Sequence, residues 1–294
     1  MTLSEPRVSF PRLAFFYLET IFLFTRSDYK TIFFPVIISA TATAPCAGLK
    51  QFIHTATWVW IHLLQANVSN QTYSAHEDVI NKPWRPLPSG RITVDETRRF
   101  RWFLLAICLC LSGWHGVGVF SASAALSLVE IVHDDYGFSS DPVFKNLCNV
   151  VGYLTFELGA TMILCGLEMS VDRTSFVALL TSGLLIFTTI HAQDFADADG
   201  DRVSGRRTLP IVAPEGSRIY ILTALPVWSI ALSALWGLGP FCGMFFLLMG
   251  LFVGSQYFRF RDATHDQSSY VLYNVWLLAA HVLPMNARSR LLTW

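Results

Sequence analysis

Four aspartates fall within eight residues at the end of an apolar stretch: His191-Ala-Gln-Asp194-Phe-Ala-Asp197-Ala-Asp199-Gly-Asp201-Arg202. On a helix Asp194, Asp197 and Asp201 stand at i, i+3 and i+7 and share one face. Three carboxylates so placed repel one another unless a cation lies among them. Mg2+ takes oxygen ligands and commonly combines a few carboxylates with substrate phosphates. A calcium-binding EF-hand loop does not fit, because the glycine of Asp197-x-Asp199-Gly-Asp201 comes too early and no glutamate stands at the twelfth loop position. A solvated acidic turn is the plain alternative; ionisable groups at the ends of membrane-length helices are usually functional.

An earlier polar insertion reads Asn70-Gln-Thr-Tyr-Ser74-Ala-His-Glu77-Asp78-Val-Ile-Asn81-Lys82-Pro-Trp-Arg85-Pro-Leu-Pro-Ser-Gly-Arg91. Asn70 and Asp78 are about two helical turns apart and share a face, with Glu77 one residue off it. Lys82, Arg85 and Arg91 follow on a proline-stiffened loop, where they can grip phosphate oxygens through charge-assisted hydrogen bonds. The alternative use of these cations is topogenic: a basic cytosolic loop that touches only lipid headgroups.

The elements that must position these motifs are membrane helices. Of 294 residues, 53% are hydrophobic and 14% charged, with a mean hydropathy of +0.44; soluble domains carry about 25% charged residues. The spacing predicts an all-α, multi-pass bundle of about nine spans, near 33–52, 53–70, 99–117, 119–133, 145–168, 173–193, 217–236, 239–258 and 268–285. The whole chain, 1–294, reads as one membrane domain. Residues 1–32 form an N-terminal interfacial segment, without the order of a cleavable signal. The motif loops 70–98 and 194–218 emerge on the same face, four crossings apart. A cytosolic N-terminus places all Lys and Arg on the cytosolic side except Lys50, Arg173, Arg288 and Arg290, the bias that the positive-inside tendency requires. The likeness of the two insertions suggests two four-helix repeats around a central cavity. Six cysteines lie in or beside apolar stretches without a C-x-x-C pair, which argues against a disulfide framework or a zinc site. Gly239-x3-Gly243 is a candidate helix-packing pair.

The two motifs resemble those of the UbiA superfamily of intramembrane prenyltransferases. That pattern is Asn-x3-Asp-x3-Asp followed by NKPxRPLPSGR, then Asp-x2-Asp-x3-Asp with GDRxxGRRTLP. Here it stands as Asn70…Asp78, NKPWRPLPSGR at 81–91, Asp194/Asp197/Asp201 and GDRVSGRRTLP at 200–210. The resemblance implies a catalytic set of Asn70, Asp78, Asp194, Asp197 and Asp201, with Asp78 and the three motif aspartates as Mg2+ ligands. It implies diphosphate binding by Lys82, Arg85, Arg91 and Arg202, and, in the loop before the fifth span, by Tyr136 and Lys145, with Asn149 close by. One departure is Ser74, where the pattern has its middle acid; either Glu77 compensates, or the ion is held through Asn70, Asp78 and water. This variant is similar to the fungal secondary-metabolite branch of the superfamily, which contains both prenyltransferases and terpene cyclases.

What the resemblance implies is ionisation of an allylic diphosphate inside an apolar cavity in the bilayer. The expected substrate is a C15 or C20 prenyl diphosphate. The favoured outcome is transfer to a small aromatic or pyrone-like acceptor in terpenoid or meroterpenoid metabolism. The alternative is a membrane terpene cyclase acting on a substrate such as farnesyl diphosphate, and a second alternative is a transporter or lipid-binding protein. Glu157, Glu168 and Glu130 are candidates for orienting an acceptor or removing a proton, with Glu157 foremost. Asp134 and Asp135 are candidates for holding acceptor or metal, His191 for a hydrogen bond to a motif carboxylate, and Lys30 for reaching the diphosphate. No nucleic-acid partner is expected. A eukaryotic source would place the protein in the endoplasmic reticulum, its site facing the cytosol.

Overall fold

Apolar runs punctuated by proline, glycine and short polar turns set the helix boundaries, as the computed structural model describes them for residues 10–44, 48–166 and 172–294. Helix α1 (Phe10–Thr25) leads through a π-helical turn, Tyr29–Phe33, into α2 (Phe34–Thr43). Then come α3 (Leu49–Tyr73), the short α4 (Ala75–Asn81), α5 (Val94–Trp114) and α6 (Val117–Asp134). The second half runs through α7 (Pro142–Cys165), α8 (Arg173–Thr189), α9 (Asp194–Val203), the single turn α10 (Leu209–Val212), α11 (Pro214–Leu235), α12 (Pro240–Arg259), α13 (Ala263–Val282) and α14 (Asn286–Ser289). Among the described residues every regular element is helical.

Local chemistry accounts for the ends. Thr93 and Glu96 form a reciprocal capping box at the start of α5. Asp141 accepts from Val143 and Phe144 with Pro142 in the first turn of α7, and Asp172 caps α8. Gly116, at φ +107, separates α5 from α6. The first two spans divide elsewhere than expected. Ala44 precedes Pro45 and is extended, as a pre-proline residue must be, and Gly48 opens α3 at φ +135. The break therefore falls at 44–48 rather than at 52/53, leaving α2 short and α3 long.

Among the described residues five helices are long and apolar enough to cross a membrane: Val117–Asp134, Pro142–Cys165, Arg173–Val203 (which includes the turn between α8 and α9), Pro214–Leu235 and Pro240–Arg259. The remaining segments of the expected nine, α2, α3, α5 and α13, are present in order but fall short of that standard in length or apolarity. The outer surface is apolar, with Phe176, Leu180, Leu184, Val227, Ile230, Phe241, Phe245 and Phe252 exposed, as suits contact with lipid. Inside, one cluster centred on Ile186, Ile221, Tyr257, Tyr273 and Trp276 fills the C-terminal half. Another, with Val36, Trp58, Leu126 and Phe156, fills the N-terminal half.

Both halves use one plan: a long helix (α3, α8) ends in a short acidic one (α4, α9), then a loop and a helix pair (α5–α6, α11–α12). Helices α4 and α9 pack on each other at one end of the bundle. The close crossing of α11 and α12 is at Gly250 and Gly254, not at Gly239-x3-Gly243. A Cβ on Gly254 would lie 2.9 Å from the Leu222 Cα and one on Gly250 2.5 Å from the Ser229 hydroxyl, whereas Gly243 has nothing nearer than 3.7 Å.

Candidate active site

Where α4 and α9 meet, the bundle opens into a cavity of about 590 Å3. The three predicted aspartates of α9 all line it, as their shared helical face requires. Asp199 and Arg202 lie on the opposite face, exposed, and pair with each other at 3.2 Å.

Each cavity carboxylate of α9 has a cation. Lys145 reaches across from α7 to Asp194 at 2.6 Å, both side chains buried. Lys82 meets Asp197 at 2.6 Å. Arg206 lies 3.7 Å from Asp201 and 3.0 Å from Glu77. Sequence reasoning chose Arg202 and missed Arg206. The signal was Gly205, which ends α9 at φ +72 and returns the Arg206 amide to the Asp201 carbonyl at 2.9 Å. Such a left-handed cap folds the following residue back over the helix end.

Asn81 stitches the two motifs together. Its amide nitrogen donates to the Asp197 carbonyl and its oxygen accepts from the Gly200 amide, both at 3.1 Å. Gly200 is required by this approach, since a Cβ there would stand 2.3 Å from the Asn81 nitrogen.

The first motif is arranged differently from expectation. Asp78 is buried at 1% exposure and is absent from the cavity lining. Both its oxygens accept from one Arg85 nitrogen, at 2.8 and 2.9 Å, and the Ser74 hydroxyl donates to it at 3.2 Å. Arg85, by contrast, lines the cavity. Asp78 thus holds Arg85, and the acid that faces the cavity from this motif is Glu77. The preceding residues turn it there: α3 ends at Tyr73 and the chain restarts as α4 at Ala75, so the expectation of one continuous face from Asn70 to Asp78 fails. Burial pushes the Glu77 carboxyl up to about 7, against the opposing pull of Arg206. Asn70 remains in the wall.

Two further expected residues lie away from the cavity. Arg91 pairs with Glu19 at 2.7 Å and stacks over Phe16, tying the proline loop to α1. Tyr136 is 73% exposed. Lys30 and Asn149 do line the cavity, together with Arg26, Trp84 and Tyr270; Arg26 stacks over Trp84 at 4.8 Å and Lys30 over Tyr270 at 5.3 Å. The apolar part of the wall comes from Ile32, Leu63, Leu126, Val129, Phe156 and Ile190.

Of the additional acids, Glu157 accepts from Ser182 at 2.8 Å and meets His281 at 2.9 Å. It is a buried cross-helix lock outside the cavity. Glu168 lies outside the described residues. Asp135 is held by Arg101 and Tyr73, whereas Glu130 and Asp134 both line the cavity. His191 is buried between Phe195 and Tyr220 with neither ring nitrogen hydrogen-bonded, so the expected bond to a motif carboxylate is not made.

The donor set fits a hard divalent cation. Asp194, Asp197, Asp201, Glu77 and Asn70 supply oxygens to one cavity, and one buried oxygen of Asp201 has no hydrogen-bond partner. Among the described residues no three acidic, histidine or cysteine side chains are grouped to hold a metal by themselves. Mg2+ suits such a site, because substrate phosphates and water complete its octahedron.

Comparison with known proteins agrees with this fold. The model of the UbiA prenyltransferase family matches residues 32–278, and the chain belongs to that family. It is similar to the fumagillin beta-trans-bergamotene synthase of Aspergillus fumigatus, at 30% identity over 96% of this chain and 97% of that protein. It is also similar to a diterpene cyclase of Hericium erinaceus, at 27% identity over 87% of this chain and 84% of the relative. Among solved structures, a UbiA homolog from Archaeoglobus fulgidus bound to GPP and Mg2+ superposes with a TM-score of 0.64 at 14% identity, covering 91% of this chain and 99% of that one. The protein is an integral-membrane enzyme acting on a prenyl diphosphate, which sets aside the transporter reading.

Proposed function

We propose that the protein is a Mg2+-dependent membrane terpene cyclase that converts a prenyl diphosphate, of the size of farnesyl diphosphate, to a cyclic terpene. The observation that carries this reading is the division of one cavity into a charged end, where cations and carboxylates pair, and an apolar chamber with an acidic wall. Lys82, Arg85, Lys145 and Arg206 gather at the end where α4 meets α9, while Glu130 and Asp134 stand in the wall without a Lys or Arg partner among the described residues. A cation generated in the chamber is favoured there, and an anionic second substrate is repelled. Similarity over nearly full length to a bergamotene synthase and to a diterpene cyclase supports the same choice.

Asp194, Asp197 and Asp201, with Glu77 and Asn70, are the groups that would hold Mg2+. The ion, when bound, neutralises the diphosphate and makes it a better leaving group. Lys82, Arg85, Lys145 and Arg206 are positioned to take up the negative charge that grows on the diphosphate as its C–O bond breaks. The aromatic and aliphatic walls exclude water, and the faces of Phe156 and Tyr153 can stabilise the allylic cation while the chain's own double bond attacks it. Transfer to a neutral aromatic or pyrone-like acceptor uses the same ionisation and is the second reading, favoured by the activity for which the family is named.

Membranes containing the protein, given farnesyl diphosphate and Mg2+ without acceptor, are expected to yield a cyclic hydrocarbon. Consumption that requires an acceptor, with no hydrocarbon formed, overturns the cyclase assignment in favour of transfer. The placement of Lys and Arg supports a cytosol-facing cavity mouth, in the endoplasmic reticulum of a eukaryotic host; protease protection of the 82–91 loop in sealed microsomes would contradict it.

A further inference from the structure

Two carboxylates of the cavity wall stand apart from those that meet the diphosphate. Glu130 and Asp134 lie one turn apart on α6 and both line the cavity. Asp134, nearer the motif end, is fully engaged: the Ser69 hydroxyl donates to one oxygen, while Asn70 at 3.5 Å and His133 at 2.8 Å meet the other. Glu130 lies about 6 Å deeper along the helix. One of its oxygens accepts from the Gln65 amide. The other has no hydrogen-bond partner among the described residues, although Glu130 is only 9% exposed.

A buried carboxyl oxygen left without a partner costs on the order of 1–3 kcal/mol, and such groups call for an explanation in catalysis or an unseen ligand. Its surroundings speak for catalysis. Leu126, one turn before it on α6, and Leu63 and Ala66 on α3 line the same chamber, which is where the hydrocarbon part of the substrate must lie. Glu157, the foremost candidate from sequence, also has one buried oxygen without a partner among the described residues, but Ser182 and His281 hold its other oxygen outside the chamber.

We infer that Glu130 is the base that ends the reaction, taking a proton from the cyclised carbocation; the inference rests on the cyclase reading. In this step a C–H bond next to the cationic carbon breaks, and its electron pair becomes the C=C bond of the product. The proton passes to the unpartnered Glu130 oxygen, and leaves to water when the product departs and the chamber rehydrates. A carbocation is acidic enough to protonate any carboxyl oxygen with a free lone pair, so position rather than basicity selects the group. Gln65 is then a positioning residue that holds Glu130 by its other oxygen.

The test is Glu130→Gln and Glu130→Asp in membranes supplied with farnesyl diphosphate and Mg2+, following diphosphate release and the product mixture separately. Wild-type protein that forms no hydrocarbon in this assay overturns the cyclase reading itself. With wild-type hydrocarbon formed, Glu130→Gln is expected to release diphosphate within about tenfold of the wild-type rate. Its principal olefin should fall at least tenfold, replaced by isomeric olefins or by alcohols from capture of water. Glu130→Asp should recover part of the original olefin. An unchanged product mixture in Glu130→Gln, or loss of diphosphate release in a variant that keeps the wild-type melting temperature, refutes the assignment. If Glu130→Gln does not fold, Glu130→Asp decides by the same product ratio: a shift supports it and an unchanged mixture refutes it.

Discussion

The contact between Asn81 and Gly200 makes a quantitative prediction about how the two halves of the site are joined. Asn81→Ala removes two hydrogen bonds at 3.1 Å, one to the Asp197 carbonyl and one from the Gly200 amide. At about 0.5–1.5 kcal/mol each, their loss weakens the docking of α9 on α4 by about 1–3 kcal/mol. Gly200→Ala acts from the other side, because its Cβ would lie 2.3–2.6 Å from three atoms of the Asn81 side chain. Overpacking of this kind costs about 1–3 kcal/mol, and it also separates the same two hydrogen bonds. In the double variant the clashing atoms are gone, so Gly200→Ala should add almost nothing to the cost of Asn81→Ala. The expected coupling therefore equals the whole cost of Gly200→Ala alone, about 1–3 kcal/mol for overpacking and up to about 3 kcal/mol more for the separated hydrogen bonds, in favour of the double variant. Melting temperature in detergent and Mg2+-dependent diphosphate release, measured for wild type, both single variants and the double, give the cycle in two independent readouts. Additive losses in both would falsify the close approach of these residues.

Four other outcomes follow from the same geometry. Lys145→Met leaves the Asp194 carboxylate buried without its cation and should cost about 3–5 kcal/mol of stability; Lys145→Met/Asp194→Asn should regain most of that in a melting experiment while activity stays lost. Glu77→Gln should raise the Mg2+ concentration for half-maximal diphosphate release severalfold, whereas Asp78→Asn should act mainly by lowering the melting temperature through Arg85; the reverse pattern in a Mg2+ titration would return Asp78 to the metal. With metal chelated, Glu77 binds its proton more tightly folded (about 7) than unfolded (near 4.5), so stability should decline as pH rises between those values, by up to about 3 kcal/mol, and Glu77→Gln should flatten that slope in pH-dependent denaturation. Arg206→Gln should reduce diphosphate release by tenfold or more, while Arg202→Gln and Tyr136→Phe, at exposed positions, should stay within about twofold; equal losses at 202 and 206 would contradict the placement of the helix cap at Gly205.

What was legible in the sequence, and what was not, divides by physical cause. Helical periodicity put Asp194, Asp197 and Asp201 on one face because α9 is one uninterrupted helix. The same reasoning set Asp78 on the cavity face with Asn70, whereas the chain breaks and restarts at Ser74 and Asp78 turns to Arg85. Arg202 and Arg206 differ only by the left-handed cap at Gly205, a backbone event that a count of residues does not register. The partners of Glu157 come from α8 and α13, so its engagement is a property of three-helix packing and has no signature near position 157. Tyr136 stands exposed just beyond the end of α6 at Asp134. Lys145 lies in the cavity because its helix begins with the Asp141–Pro142 cap, which fixes Lys145 in the first turn of α7.

The arrangement of charge within the cavity gives the proposed reaction a direction. Cations stand at the end where the two motifs meet, beside the carboxylates that would hold Mg2+, so negative charge released from the substrate stays there, close to Lys82, Arg85, Lys145 and Arg206. Positive charge left on the hydrocarbon is drawn the other way, towards an apolar chamber whose wall holds Glu130 and Asp134. Attraction between cation and released diphosphate would otherwise favour recombination, and in a medium of low dielectric it is strong. The acidic wall offsets part of it by stabilising the cation deeper in the chamber. Neutralising that wall with Asp134→Asn should therefore increase return to starting material. Positional isotope exchange, with 18O in the bridging oxygen of the substrate, measures that return directly. A ratio of exchange to product no higher than in wild type would show that the wall does not hold the cation.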